Sequence, residues 1–344
     1  MKKTIVLTGA TGYIGSHTWC ALIEAGYDVI GLDNLCNSSI EVIERISTIT
    51  QSKLNFVEGD VRDRSLLNTI FSQNQIDAVI HFAALKSVGE SVESPLTYYD
   101  TNLNGLLTLC MVMAQHAVKT LVFSSSATVY GDPESIPIKE DASLKATSPY
   151  GQTKLMSEQI LRDLECSDHQ WNIGYLRYFN PVGAHESGLI GEDPHGVPNN
   201  LMPYVAQVAV GKLDRLRIFG GDYPTPDGTG VRDYIHVMDL AEGHVAALSH
   251  LLNGNESNKT SFTVNLGAGF GVSVLEVIRA YEKASKRPIP YEIVARRPGD
   301  VAAYYADPSL AAEIIKWHAT RGLDVICKDS WRWQKMNPNG FSDI

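Results

Sequence analysis

The chain has 344 residues, 44% of them apolar and 20% charged, enough to bury sizeable cores and, at roughly 150 residues per domain, to suggest about two domains. With 28 Gly and 15 Pro it is neither collagen-like nor of low complexity. A net charge of −10 argues against a partner gripped through a nucleic-acid backbone, which needs surplus Lys and Arg, but allows an anionic small ligand in a locally basic pocket.

Met1-Lys2-Lys3 leads into an apolar run that ends at Gly9, too short for a secretion signal. No stretch approaches the roughly 20 apolar residues of a membrane helix. Short β-branched runs at Thr4–Thr8, Asp28–Leu32, Leu54–Val57, Asp77–Phe82, Thr120–Ser124 and Asn172–Arg177 predict buried parallel strands. Between them Ile14–Ala25, Asp63–Gln73, Thr101–His116 and Tyr150–Leu164 suit crossover helices. The alternation predicts an α/β fold, a doubly wound parallel sheet covered on both faces. Beyond Asn180 the pattern loosens. Pro181–Pro203 and Gly220–Gly230 lack periodicity, as functional loops do. We expect a boundary near residue 180, giving a nucleotide-binding domain over residues 1–180 and a smaller mixed α/β domain over residues 181–344 that returns segments such as Thr263–Leu266 to the first. Cys20, Cys36, Cys110, Cys166 and Cys327 are scattered without a CxxC pair, which points to reduced thiols in a soluble cytoplasmic protein.

The first strand runs into Gly9-Ala10-Thr11-Gly12-Tyr13-Ile14-Gly15, a GxxGxxG variant of the Rossmann-type dinucleotide fingerprint. Gly9 allows the tight turn, Gly12 the close approach of a pyrophosphate, and Gly15 the packing of helix on strand. The pyrophosphate then meets the free N–H groups of the helix start. Such a pattern alone also fits an ordinary tight loop. The second strand leads to Asp33, where an acidic side chain accepts from an adenosine ribose and repels a 2′-phosphate, so NAD is favoured over NADP. Asp60 and Phe82-Ala83-Ala84 follow further strands at the carboxyl edge, where an open α/β sheet binds its ligand. Asp60 is read as reaching the adenine, and Lys86 the diphosphate or ribose.

Chemistry is carried by Tyr150-Gly151-Gln152-Thr153-Lys154. Ser148-Pro149 before it starts a helix, with a capping hydroxyl and a first-turn proline. Tyr150 and Lys154 are then four apart on one face. A phenol near its reference pKa of roughly 10 is a poor base at neutral pH. A neighbouring ammonium and a helix N-terminus both favour the phenolate, so we expect them to make Tyr150 a general base. Another strand ends in Ser124-Ser125-Ser126, placing Ser126 to hold a substrate hydroxyl or, in the plainer reading, to cap a polar turn.

With these motifs the chain resembles the extended short-chain dehydrogenase/reductases. The resemblance is carried by Gly9–Gly15, Asp33-Asn34, His81–Lys86, Asn102–Gly105, Ser124–Gly131, Tyr150–Lys154, Arg177–Val182, Asn199–Leu201, Val231–Asp239, Arg297–Asp300 and Trp331–Gln334, essentially the whole chain. Within the family it looks like the branch that inverts carbon 4 of UDP-glucose and UDP-galactose in galactose metabolism. Ala84 stands where many members have glycine, and Thr101 where some have asparagine, so the helix's structural and cofactor role falls to Asn102 alone.

The resemblance implies an NAD-dependent isomerase that passes through a 4-keto sugar, with Tyr150 as base and Ser126 and Lys154 assisting. It implies that Gly9, Gly12, Tyr13, Ile14, Gly15, Asp33, Asn34, Asn37, Ser38, Asp60, Val61, Phe82, Ala83, Ala84, Lys86, Asn102, Ser124, Tyr150, Lys154, Tyr178 and Phe179 bind NAD. The UDP-sugar falls to Lys86, Ser126, Tyr150, Asn180, Asn200, Leu201, Arg217, Ile218, Phe219, Arg232, Tyr234, Arg297, Asp300 and Tyr304. Arg232 and Arg297 fit a diphosphate through the guanidinium fork. Tyr304 stands where the family tunes pocket volume, which implies poor turnover of N-acetylated sugars. A homodimer is implied through the helices Thr101–His116 and Tyr150–Leu164.

Three other readings compete. An epimerase of another UDP-sugar (a uronate or UDP-GlcNAc) shares every motif above. A 4,6-dehydratase resembles its kin in placing Asp-Glu after the active-site hydroxyl residue, where this chain has Ala127 and Thr128. A non-catalytic NAD sensor would not need Tyr150 and Lys154. His185, Glu186, Glu192, Asp193 and His195 share a loop but lack ordered ligand spacing, so no metal is expected.

Overall fold

The computed structural model describes residues 2–342 except 195, 197, 199, 255–260 and 298. Six strands follow one another in the first half: β1 (Thr4–Thr8), β2 (Asp28–Asp33), β3 (Asn55–Glu58), β4 (Ala78–His81), β5 (Thr120–Ser126) and β6 (Asn172–Tyr178). All pair in parallel in the order β3-β2-β1-β4-β5-β6, and the strand Phe262–Leu266 adds a seventh beside β6. This is a doubly wound sheet, with its switch point between β1 and β4.

Side-chain alternation assigns each sheet face to its own helices. Ile5, Leu7, Ile80 and Val122 face the helices Tyr13–Glu24 and Val237–Asn253, with Trp19 and Leu240 fully buried between the layers. Val6, Val79, Leu121 and Phe123 face Arg64–Gln73, Gly105–Gln115 and Pro149–Ser167 through Leu67, Leu109 and Leu161. Each such aliphatic side chain contributes about 1.5–3 kcal/mol on burial.

The helix predicted over Thr101–His116 is interrupted. Asp100–Asn104 forms a π-helical turn, and the α-helix begins only at Gly105. Such turns recur at functional sites, and this one carries Asn102.

The remaining chain builds a smaller mixed layer. Leu216–Phe219 pairs in parallel with Tyr291–Val294, and Val231–Arg232 lies between Val272–Ser273 and Ala303–Tyr304. Its core packs Val205, Ile218, Val277, Tyr281 and Ile326 against one another. Among the described residues no helix is long and apolar enough to cross a membrane. All five cysteines are free.

Candidate active site

A cleft of about 1400 Å³ opens at the carboxyl edge of the sheet, between the loops that follow β1 and β4. Gly9, at φ 69°, turns the chain out of β1. A methyl on Gly15 would lie 2.0 Å from the Gly9 carbonyl oxygen, so only glycine lets the helix start against the strand. Gly12 caps that helix without any side-chain bond, and its first turn holds no acidic residue. The terminus therefore presents backbone N–H groups and positive dipole to the cleft, as an anion requires.

Asp33 faces the same cleft. Its carboxylate accepts from Thr11 N at 3.0 Å, Leu35 N at 2.9 Å and Ser38 Oγ at 3.4 Å. A carboxylate has about four acceptor positions, so one remains for a sugar hydroxyl. Glycine cradle, uncapped terminus and acidic residue together fit a dinucleotide such as NAD. Tyr13, Ile14, Asn34, Asn37, Ser38, Val61, Phe82, Ala83, Ala84 and Lys86 complete this end of the lining.

Asp60 also lines the cleft, but its carboxylate is already saturated. Arg62 N and Nε reach Oδ1, while Arg62 Nη2 and Asn34 Nδ2 reach Oδ2, all at 2.8–2.9 Å. These bonds, chiefly from Arg62, hold its pKa well below the usual carboxylate range. An adenine amine would have to displace one of them.

Asn102 fills the structural part of the role expected of it. It is buried behind the wall, where its amide bonds Leu85 N and O at 2.8 and 3.1 Å and Thr153 Oγ1 at 2.9 Å. It shapes the loop after β4 rather than lining the cleft.

The chemical residues share this cleft. Ser148 Oγ accepts from Gly151 N at 3.1 Å and Pro149 occupies the first turn, the start expected from the sequence. Tyr150, Lys154 and Tyr178 line the cleft, and Tyr150 is buried rather than turned to bulk solvent. One expectation is corrected. The Lys154 ammonium donates to the Ser124 carbonyl at 2.7 Å and lies 5.2 Å above the Phe123 ring. Burial pushes the Tyr150 phenol above its usual pKa of 10, and its hydrogen bond with Ser126 offsets only part of that rise. Burial likewise pulls Lys154 down from 10.5 to about 8. Desolvation is thus the dominant influence on both groups, and the ammonium's hydrogen bond goes to the backbone of β5.

Ser126 combines its two readings. It caps the turn Ala127–Tyr130, accepting from Thr128 N at 3.2 Å and Thr128 Oγ1 at 3.0 Å, and it also meets the phenol of Tyr150. Ser124 Oγ pairs with the Tyr178 hydroxyl. Phe179 packs against Tyr304 at 5.6 Å between ring centres, and the Tyr304 hydroxyl donates to the Ala127 carbonyl at 2.5 Å.

Of the residues expected to hold a UDP-sugar, Lys86, Tyr150, Asn200, Arg297 and Asp300 line the cleft. Arg297 bonds Asp300 at 3.0 Å and covers the Phe219 ring at 4.5 Å, while Arg232 stands 3.8 Å from Asp300. Asn180 is exposed at the start of the strand Asn180–Val182, and Leu201 begins the helix Leu201–Ala209. Arg217 turns outward to Glu292 at 3.2 Å. Ile218 and Tyr234 are core side chains, a correction to their expected role as lining groups. Strand alternation points Ile218 inward, so only its backbone is free for a ligand.

Two features escaped the sequence reading. Glu192 joins Lys86 and Asn200 at the mouth of the cleft. Beneath β5, buried Arg177 forms a two-pronged pair with Glu158 at 2.9 and 2.6 Å, and Ser125 Oγ donates to the same carboxylate at 2.6 Å. Among the described residues no group of three His, Cys, Asp or Glu could hold a metal ion. His185 bonds Ser187 at 2.9 Å, and His195 lies outside the described residues.

Comparison with known proteins agrees with this geometry. Residues 6–330 match a family model described as GDP-mannose 4,6 dehydratase. The chain is 58% identical over 337 residues to the UDP-glucose 4-epimerase of Bacillus subtilis, covering 98% of each chain. It is similar to the Bifidobacterium longum UDP-glucose 4-epimerase crystallised with NAD+ and UDP, at 54% identity and a TM-score of 0.93, covering 98% of this chain and 100% of that one. The enzyme from Stenotrophomonas maltophila, with bound NAD and formylated UDP-arabinopyranose, matches at 50% identity and a TM-score of 0.95 over 98% and 99% of the two chains.

Proposed function

The chain belongs to the UDP-glucose 4-epimerase family, and on that premise we propose how its residues divide the work. It inverts carbon 4 of UDP-glucose and UDP-galactose through a transient 4-keto sugar, with NAD as cofactor. One observation carries the mechanistic reading: the pair Tyr150 and Lys154 faces the same cleft as the glycine cradle and Asp33.

NAD, when bound, supplies a reversible hydride acceptor and a positively charged ring, which gives carbon 4 access to a planar state open from either face. Gly12, Gly15 and the helix start hold its pyrophosphate, and Asp33 its ribose. Tyr150 accepts the proton of the sugar 4-hydroxyl, which Ser126 holds in line. Lys154 anchors Ser124 and the nicotinamide ribose. Tyr150 returns the proton once carbon 4 has been reduced from the other side. Burial raises the phenol's pKa and so favours its protonated form, and the charged ring, when bound beside it, would favour the phenolate that accepts the sugar's proton.

We assign the UDP moiety to Asn180, Asn200, Leu201, Arg232, Arg297, Asp300 and the backbone near Phe219. Tyr304, braced on Ala127 and Phe179, closes the sugar end against an N-acetyl group. In this division residues 1–180 hold NAD and 181–344 the UDP-sugar, apart from the segments returned to the main sheet. The helices Gly105–Gln115 and Pro149–Ser167 expose Leu107, Met111 and Met156, beside Val92 and Leu96, and this apolar face fits a second copy of the chain. Five free thiols fit a cytoplasmic protein in galactose metabolism.

A dehydratase reading, which the family model's description raises, is disfavoured by Ala127 and Thr128. They offer no acid–base pair for eliminating water across carbons 5 and 6. Incubation with UDP-galactose, without added NAD, tests the whole reading. UDP-glucose is the expected product, and a protein that carries NAD yet makes none would overturn it.

A further inference from the structure

Two hydrogen-bond donors at the cleft mouth converge on one oxygen of a side chain that the mechanism leaves unused. Glu192 Oε1 accepts from Lys86 Nζ at 3.2 Å and from Asn200 Nδ2 at 3.1 Å. The glutamate is only 11% exposed, while Lys86 is 53% exposed. All three residues line the cleft, and the Lys86 ammonium also lies 5.8 Å from the centre of the Tyr13 ring.

The glutamate is presented by a braced backbone. Gly191 bridges to Ala184, and a side chain on Gly191 would run into Trp333 at 2.4 Å. Trp333 Nε1 donates to the Glu192 carbonyl at 3.2 Å, and Phe341 N donates to Asp193 Oδ2 at 3.0 Å. The carboxylate is thus held against Lys86 and Asn200 rather than extended into water.

An ammonium and an amide N–H sharing one anionic oxygen is the donor set that a phosphate oxygen takes. We infer that Glu192 is a built-in competitor of the substrate's diphosphate: it occupies Lys86 and Asn200 until a diphosphate displaces it. This deepens the UDP-sugar reading above and rests on it. A ligand without phosphate gains nothing from these donors and leaves the glutamate in place. A diphosphate brings more negative charge than one carboxylate and takes the donors over. On departure, the glutamate recaptures them, so the exchange eases release of a tightly held nucleotide.

Glu192→Gln tests this, because it keeps the accepting oxygen and the shape while removing the charge. Binding of UDP and of uridine is measured by calorimetry on the NAD-loaded protein. UDP is expected to bind about fivefold more tightly to the variant, the scale of one partly exposed ion pair, with uridine unchanged within about twofold. The gain should shrink between about 0.05 and 0.5 M salt as the charges are screened. Glu192→Ala should shift UDP binding in the same direction. UDP binding that is unchanged or weakened in both variants overturns the proposal. So does a gain for uridine as large as that for UDP, which would report a general loosening. Wild-type protein that binds neither ligand overturns the nucleotide-sugar reading and this proposal with it.

Discussion

Lys154 Nζ reaches the carbonyl oxygen of Ser124 at 2.7 Å, which ties the chemical helix to the end of β5. That strand end also carries Ser126, so one buried cation sets the distance between the proton acceptor's helix and the hydroxyl that aligns the substrate. Lys154→Met should therefore lower both turnover and NAD retention, read by steady-state rates and by the nucleotide released on denaturation. A pH effect follows from the same burial. The folded-state pKa of about 8 lies below the unfolded value of roughly 10.4. Between those values the unfolded chain binds the proton that the folded chain has lost, so wild-type stability rises with pH by at most about 1.4 kcal/mol per unit. Below pH 8 the cost of burying the charge is present in full. The Met variant should lose this slope in urea titrations from pH 7 to 10; an unaltered slope would mean that Lys154 is not its source.

Tyr150→Phe removes the proton acceptor and leaves the ring. Conversion of UDP-galactose should fall by roughly 10²–10⁴-fold, the range of a general acid–base group. UDP affinity and NAD content should stay near wild type. Near-normal turnover would move the proton chemistry to another group in the cleft.

Tyr304 braces the sugar end through Ala127 and Phe179. Wild-type protein should turn over UDP-GlcNAc poorly beside UDP-glucose, and Tyr304→Cys should narrow that gap by opening space for the acetyl group. Equal rates on both sugars in the wild type would place the size limit elsewhere.

The Arg177–Glu158 pair is almost wholly excluded from water. Burial pushes the Glu158 carboxyl up, but the bonds and charge of Arg177 hold it below its usual range. Arg177→Met strands the carboxylate and should cost about 3–5 kcal/mol of stability, measured by urea unfolding. The pair's contribution is present above the carboxylate's unfolded pKa and is lost as pH falls toward its depressed folded value. A near-neutral result would mean that Ser125 and Arg162 satisfy the carboxylate unaided.

Met111 and Met156 stand on the face assigned to a second copy, 53% and 41% exposed. Met111→Glu with Met156→Glu should convert a dimer into monomers in sedimentation runs. A wild type that is already monomeric would remove the assignment.

What the sequence disclosed here follows from how far apart the interacting residues lie. Tyr150 and Lys154 share a helix face, and the Ser148-Pro149 start marks that helix without reference to the rest of the chain. Asp33 is announced by the strand it terminates. Glu192 is different: one of its partners is 106 residues away, and its Pro- and Gly-rich surroundings have no periodicity from which a facing direction could be read. The π-helical turn at Asp100–Asn104 leaves the apolar pattern almost unchanged, so a continuous helix was the natural reading. The true environment of Lys154 was hidden for a further reason. Helical spacing says which groups share a face, but not that a carbonyl on the neighbouring strand will take the charge.

The strand Phe262–Leu266 has a practical consequence for anyone cutting this molecule in two. A fragment ending near residue 180 would leave β6 with an open flank, its unpaired N–H and C=O groups inviting strangers. Such a half is expected to precipitate or to scavenge stray peptides, and adding the missing stretch in trans should restore solubility.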